Sequence, residues 1–437
     1  MADDLRVDKH EQHVVLRRAA TASFIGNFIE WFDYASYGYL ALVIGDVFFP
    51  ASDPTTKLLS TYAVFAMSFL LRPVGAVVWG WWGDRLGRRW ALAWSILIMS
   101  GSTFLIGLLP GYASIGIWAA LGLLALRLIQ GFSASGEYAG AGTFLAEYAP
   151  EKHRGAYTSL VPASTAAGLL GGSLLVSALF ALLSDADMHS WGWRIPFLLA
   201  GPLGLIGRYI RVHLEDSPEF QEMREASDKK IAQQKSPLVK LVREHTRAVC
   251  VGFGVACLNA VAFYLLLSYM PVYVHEELKV KESTATLLTT ITLAIYIIFV
   301  LISGRISDRF GRRTMLLWAC GAFTLLSVPI FWLMGQGGIA VILIGQILFA
   351  IMLTINDGTL ATFLAESFPT EVRYSGFALS FNTANALLGG TAPFIATALI
   401  KWSGESIAPA FYLALVALVA GLTMEFAVPR HQRSFMK

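Results

Sequence analysis

Glu30, Asp33, Arg127 and Glu137 lie inside long apolar runs of the sequence. An ionisable group near a bilayer centre costs about 2.5–3.5 kcal/mol on insertion scales, so each needs a partner, a cavity or a ligand. Glu30 and Asp33 are three residues apart. That spacing puts both carboxylates on one helical face, and Tyr37 continues it. Glu137 follows Arg127 by ten residues, about 15 Å along a helix at 1.5 Å per residue. Buried acids beside a buried base suit the binding and release of a proton or of a charged small molecule. A structural ion pair between neighbouring helices is the other use, and Arg72 can supply one to Glu30.

Enzyme chemistry finds little support. The eight histidines stand outside the centres of the apolar runs, and there is no H-E-x-x-H, Cys/His ligand set or P-loop. No nucleophile has a base at a recognisable spacing. Neither a metal site nor a cofactor is expected. Nothing resembles a channel selectivity filter. Cys250, Cys257 and Cys320 all fall in apolar runs, so they are expected to be reduced and buried.

The elements that must hold these side chains follow from composition. The chain is 56% hydrophobic and 14% charged, with a mean hydropathy of +0.59. A soluble protein carries roughly 25% charged residues. About twelve apolar runs of about 20 residues are each long enough to cross a bilayer core. They cover 19–44, 57–82, 90–109, 115–146, 155–183, 193–212, 247–274, 284–303, 314–334, 337–365, 374–400 and 406–427. Basic residues crowd one side of this pattern, among them Arg17, Arg18, Arg85, Arg88, Arg89, Arg154, Arg305, Arg309, Arg312, Arg313, Arg373 and the bases of 208–247. The other side holds Lys57, Lys279, Lys281 and Lys401. The bias puts both termini in the cytoplasm and argues for topology, not nucleic-acid binding. Residues 1–18 are polar with no cleavable signal, so the first run serves as an uncleaved anchor. Residues 213–246 form the one long polar stretch, expected to be a cytoplasmic linker with surface helices.

The chain is also a duplication. Residues 80–89 read GWWGDRLGRR and recur 224 residues later as GRISDRFGRR at 304–313. Ala146-Glu147, Pro150 and Arg154 recur 219 residues later as Ala365-Glu366, Pro369 and Arg373. Two matches in the same order imply two similar halves. The 80–89 stretch is expected as a charged turn. The halves differ in mid-membrane charge: at the 219 offset Arg127 maps to Gln346, and Glu137 to Asn356 beside Asp357. Duplicated spans with buried carboxylates suit alternating access better than a channel or a receptor.

The paired D-R-x-G-R-R loops and R-L-I-Q-G at 127–131 resemble the signatures of the major facilitator superfamily. Within it, G-N-F-I-E-W-F-D-Y, F-L-L-R-P-V-G, Q-G-F-S-A-S-G-E-Y and W-G-W-R-I-P-F resemble the metabolite–proton symporters. D-S-P-E-F at 216–220, Y-L-L-L-S-Y-M-P at 264–271 and P-A-F-Y at 409–412 are most similar to proline/glycine betaine permeases. The likeness runs over about residues 18–428, without the C-terminal coiled-coil extension of the longer osmosensing members. It implies an all-α membrane protein: twelve transmembrane helices in two pseudo-symmetric six-helix bundles around a central cavity. The bundles are expected at 19–212 and 247–427, between cytoplasmic termini at 1–18 and 428–437, in a monomer of the inner membrane.

The resemblance further implies proton-coupled uptake of a small zwitterion of the proline or glycine betaine type. A proton symporter of an organic acid, of the α-ketoglutarate, citrate or shikimate type, is the alternative. In related symporters a first-span Asp and a fourth-span Arg couple proton to substrate, positions that Asp33 and Arg127 occupy here. Glu30 and Glu137 are rival proton carriers. One central Arg suits one carboxylate, unless Arg72 acts as a second cation. Trp31, Tyr34, Tyr37, Tyr138, Phe263 and Tyr264 could face an ammonium group, with Asn382 and Asn385 as polar ligands. Because it is duplicated, the 80–89 motif is expected to gate and not to select. Asp84 and Arg88 with Glu147 and Arg154 would latch one bundle, and Asp308 and Arg312 with Glu366 and Arg373 the other.

Overall fold

A computed structural model describes residues 2–49, 60–61, 63–64, 67–213, 221 and 237–429. The D-S-P-E-F match at 216–220, most of the expected linker, Lys57 and residues 430–437 lie outside the described residues. Every regular element described is helical. The long helices are α1 (Ala2–Tyr39), α2 (Arg72–Leu86), α3 (Arg88–Leu108), α4 (Ile117–Tyr148), α5 (Leu160–Leu182) and α6 (Arg194–Val212) in the first half. The second half holds α7 (Thr246–Phe263), α8 (Glu282–Phe310), α9 (Arg312–Gln336), α10 (Ile339–Glu366), α11 (Arg373–Ala384) and α12 (Ala408–Ala427). Among the described residues, ten stretches are long and apolar enough to cross a membrane. With α1 and α2 they make the twelve-helix architecture. α1 carries the buried acids that dilute its hydropathy, and the run ahead of α2 is described only in part.

The chain divides into two compact units. The first comprises Met1–Tyr148 and Ser164–Gln234, the second Ala149–Ala163 and Lys235–Lys437. The boundary at 234/235 falls within the polar stretch 213–246.

The motif at 80–89 is not the turn that its charges suggest. Helix runs through Asp84 to Leu86 and resumes at Arg88. Gly87 alone breaks it, at φ 111° and ψ 147°. Gly311 does the same in the second copy, at φ 86° and ψ 150°. A side chain is strongly disfavoured in that region, which explains why the glycine recurs. The second repeat is also a shared piece of backbone. α4 and α10 end shortly before Pro150 and Pro369, a 3₁₀ turn follows, and a new helix starts at Arg154 or Arg373.

Within the first unit, small residues bring backbones together. A Cβ on Gly75 would strike the Phe132 carbonyl, and one on Gly131 the Ser68 carbonyl, so the α2 stretch and α4 cross at reciprocal glycines. Trp79 Nε1 locks the crossing by donating to Phe132 O at 3.0 Å. Asn27 Nδ2 ties α1 to α5 through Ser164 Oγ at 3.0 Å and Thr165 Oγ1 at 2.6 Å. In the second unit Tyr273, Phe331, Phe349 and Phe323 form a chain of ring contacts. α7 and α11 each pass into a π-turn, Tyr264–Tyr269 and Asn385–Gly389. A Cβ on Gly389 would meet the Tyr264 ring. Such turns free backbone groups from the regular ladder and often mark working positions. The three cysteines are free, but Cys250 is exposed on its helix and not buried as expected.

Candidate substrate and proton site

The acids and bases of the first unit form one-to-one pairs. α1 presents Asp33 and α4 presents Arg127, with Arg127 Nη1 donating to Asp33 Oδ2 at 2.7 Å. Arg127 lies over the Tyr37 ring, its Cζ 3.7 Å from the centroid. Tyr37 in turn donates its hydroxyl to Thr61 O at 3.1 Å. Asp33 Oδ1 and Arg127 Nε and Nη2 are buried without a hydrogen-bond partner among the described residues. Gln130 and Thr103 stand beside the pair, Gln130 donating to Thr103 at 2.5 Å.

One helical turn away, Arg72 at the start of α2 donates through Nη2 to Glu30 Oε1 at 2.7 Å and to the Tyr34 hydroxyl at 2.7 Å. Its guanidinium lies against both the Tyr34 and Phe69 rings, 5.3 and 4.8 Å from their centroids, and the two rings stack on each other. Trp31 packs against Tyr34 with ring centroids 5.5 Å apart. The expected Glu30–Arg72 contact is therefore made, and Arg72 is already neutralised.

Glu137 has a different partner. Arg211, at the end of α6, grips it with both terminal nitrogens. Nη1 reaches Oε2 at 2.9 Å, and Nη2 reaches Oε1. Arg211 also donates to Leu92 O of α3 at 2.7 Å and to Ala22 O of α1 at 3.2 Å. Glu137 is thus built into a brace across four helices and is not brought to the Asp33–Arg127 pair. Sequence reasoning missed Arg211 by counting it among the basic residues of 208–247. Its place inside the apolar run 193–212 was the available signal.

The model of the Major Facilitator Superfamily matches residues 23–393. A Proline/betaine transporter of Salmonella typhimurium is 39% identical over 419 residues, covering 94% of this chain and 83% of that protein. The Glycine betaine/proline/ectoine/pipecolic acid transporter OusA of Dickeya dadantii is 39% identical over 415 residues, covering 93% of this chain and 82% of its own length. The chain belongs to the major facilitator superfamily. Among solved structures, the proton:xylose symporter XylE bound to 6-bromo-6-deoxy-D-glucose superposes with a TM-score of 0.79 at 17% identity, over 96% of this chain and 97% of that one. That likeness establishes the fold. The chain is a multi-pass membrane transporter of this family and not an enzyme.

The other expected ligands fall in both units. Tyr138 is buried in α4. Phe263 and Tyr264 pack edge-to-face in the second unit, centroids 5.6 Å apart. Asn382 and Asn385 each donate to the carbonyl four residues back, at 2.9 and 3.0 Å. A cavity of about 480 Å³ in the first unit, lined by Asp46, Tyr112, His189 and Arg194 among others, includes neither Asp33 nor Arg127.

The expected gating groups form two partial copies of one network. In the first unit Arg88 meets Asp84 at 3.3 Å and Glu147 at 3.2 Å, and donates to Gly83 O at 2.9 Å. In the second, Arg312 meets Asp308 at 2.8 Å and Glu366 at 3.5 Å. Asp308 also accepts from the Gly155 and Ala156 N–H groups, at 2.7 and 2.9 Å. Those amides open the helix that begins at Arg154, so an anion sits at its positive end. Arg154 falls with residues 149–163 in the second compact unit. Arg373 donates from Nε to Phe368 O at 3.2 Å.

Proposed function

We propose that the protein carries out proton-coupled uptake of a small zwitterion of the proline or glycine betaine type across the inner membrane, with both termini cytoplasmic. The observation that carries this reading is the Asp33–Arg127 pair: buried, bonded through one atom on each side, and with Asp33 Oδ1 and Arg127 Nη2 unsatisfied. Protonating Asp33 removes its charge and releases the guanidinium for a substrate carboxylate. Either arrangement is neutral, whereas a lone buried charge is costly. Arg72 is held by Glu30 and Tyr34, so one cation is released per proton. That favours a single carboxylate over a di- or tricarboxylate. Trp31, Tyr34 and Tyr37 supply aromatic faces for a cationic end. The names of the relatives, proline/betaine transporters, point to the same substrates. The Asp308 contact supports a gating role for the repeated motifs.

The test is uptake into proteoliposomes under an imposed pH gradient. Proline or glycine betaine accumulates, and Asp33→Asn retains exchange but loses accumulation. Accumulation of α-ketoglutarate or citrate in their place overturns the zwitterion assignment. Accumulation by Asp33→Asn moves the proton carrier elsewhere.

A further inference from the structure

Asp357 lies in the middle of α10, 1% exposed, and takes no part in the exchange proposed above. Each of the buried acids Glu30, Asp33 and Glu137 has an arginine. Asp357 has none. The described groups that act on it are all neutral. Tyr296 of α8 donates its hydroxyl to Oδ2 at 2.5 Å. Asn259 of α7 and Asn356 donate their amide N–H groups to Oδ1 at 2.7 and 3.0 Å. Among the described residues, Tyr296 is the titratable group facing it. α9, α11 and the helix at Arg154–Thr158 bring no charged group to it among the described residues. A bare carboxylate so deep in an apolar bundle, with no cation beside it, is costly even when hydrogen-bonded.

The partner set fits a proton. The two amides hold Oδ1 in either charge state. Tyr296 is the only one of the three partners whose bonding group can both give and receive a hydrogen bond. When a proton binds Oδ2, the phenol turns its own hydrogen away and accepts the new O–H. The bond between Asp357 and Tyr296 is kept with its direction reversed, no heavy atom need move, and only the phenol's own hydrogen is left to find a new acceptor. A metal cation would instead meet three donor hydrogens. At the equivalent level the first half pairs Glu137 with Arg211. The second half gives Asp357 hydrogen-bond donors and, among the described residues, no cation.

We propose that Asp357 is a second proton-binding site, with Tyr296 as the group that reverses its hydrogen bond when the proton binds. That the proton is taken up and released during transport rests on the reading of the chain as a proton-coupled carrier. The proton binding itself does not.

Infrared difference spectra of the full chain in lipid, between alkaline and acidic pH, test the site directly. A buried protonated-carboxyl band is expected in the parent and in Asp33→Asn. It should be lost in Asp357→Asn and shifted in Tyr296→Phe, which keeps the carboxyl but removes its reversible partner. Should Asp357→Asn fail to fold, the Tyr296→Phe shift decides. Counterflow at equal pH on both sides adds a second readout: Asp357→Asn flattens one step of the pH profile that Asp33→Asn retains. An unchanged band and profile in both Asp357→Asn and Tyr296→Phe, or a band displaced by sodium at constant pH, overturns the proposal. If the parent never concentrates substrate under a pH gradient yet shows the Asp357 band, proton coupling fails and the site stands. If the parent concentrates substrate and the band survives Asp357→Asn, the site alone fails.

Discussion

Replacing Glu137 by Gln should damage stability far more than coupling. The side chain sits 1% exposed against Arg211. Arg211 divides its donors between the carboxylate and the carbonyls of Leu92 and Ala22. Breaking a buried pair by removing one charge costs about 3–5 kcal/mol, because the remaining charge stays buried. Glu137→Gln belongs at the lower end, about 3 kcal/mol, since Arg211 keeps two carbonyl acceptors. Arg211→Met belongs at the upper end. It leaves a carboxylate whose other bond is from Ser95 Oγ at 3.3 Å. At roughly 2 °C per kcal/mol for a large domain, the melting temperatures fall by about 6 °C and about 10 °C. The double variant Glu137→Met with Arg211→Met carries no orphan charge and melts closer to the parent than either single change. Thermal unfolding of purified variants gives the cycle, and proteoliposome accumulation per folded molecule gives the coupling. A Glu137→Gln protein that melts with the parent but no longer concentrates substrate would refute the brace and return Glu137 to the proton pathway.

Three further outcomes follow from the geometry. Gly155→Ala and Gly304→Ala each drive a methyl into the other glycine's carbonyl. Each should cost about 1–3 kcal/mol as overpacking, whereas Gly321→Ala, which meets nothing within 4 Å, leaves the melting temperature equal or higher. Asp308→Asn gives up a charged acceptor for two backbone amides and should destabilise by about 1–2 kcal/mol. Counterflow measured with it should show altered rates and an unchanged order of substrate preference; a changed order contradicts a gating role. Tyr37→Ala removes the ring under Arg127 and should raise the KM for uptake about tenfold or more, while Tyr37→Phe stays within about threefold, because the face and not the hydroxyl meets the guanidinium.

How far the sequence could be read depended on which interactions are local. The duplication was legible because its residues answer to backbone demands: Gly87 and Gly311 occupy a conformation that a side chain resists, and Pro150 and Pro369 open the same 3₁₀ turn. The apolar runs located the long helices because an 18-residue stretch without charge has few other uses in a chain this hydrophobic. The extent of helix through 80–89 was not legible. Asp84, Arg85, Arg88 and Arg89 look like a loop until each charge finds a partner, as Arg88 does in Glu147, 59 residues away. Partner choice was the hidden part throughout. Arg127 and Glu137 share one helix, yet one faces α1 and the other α6. Arg211 looked like one more topogenic base.

The same partner choices distinguish the buried acids by what an arriving proton would do to their hydrogen bonds. Glu137 and Arg211 are joined through both oxygens and both terminal nitrogens, with two carbonyls completing the guanidinium. Any rearrangement there leaves a polar atom stranded in an apolar bundle, a penalty that fully connected buried networks impose. Asp33 and Arg127 already carry unsatisfied atoms in the pair, so a ligand able to bond with them improves on the resting arrangement. Asp357 differs again, since its partner Tyr296 can reverse its own bond. Buried charge alone therefore does not identify a coupling residue. The property to test is whether the surrounding hydrogen bonds can be remade when a proton arrives: the proposals for Asp33 and Asp357 require it, and the two-atom grip of Arg211 on Glu137 opposes it.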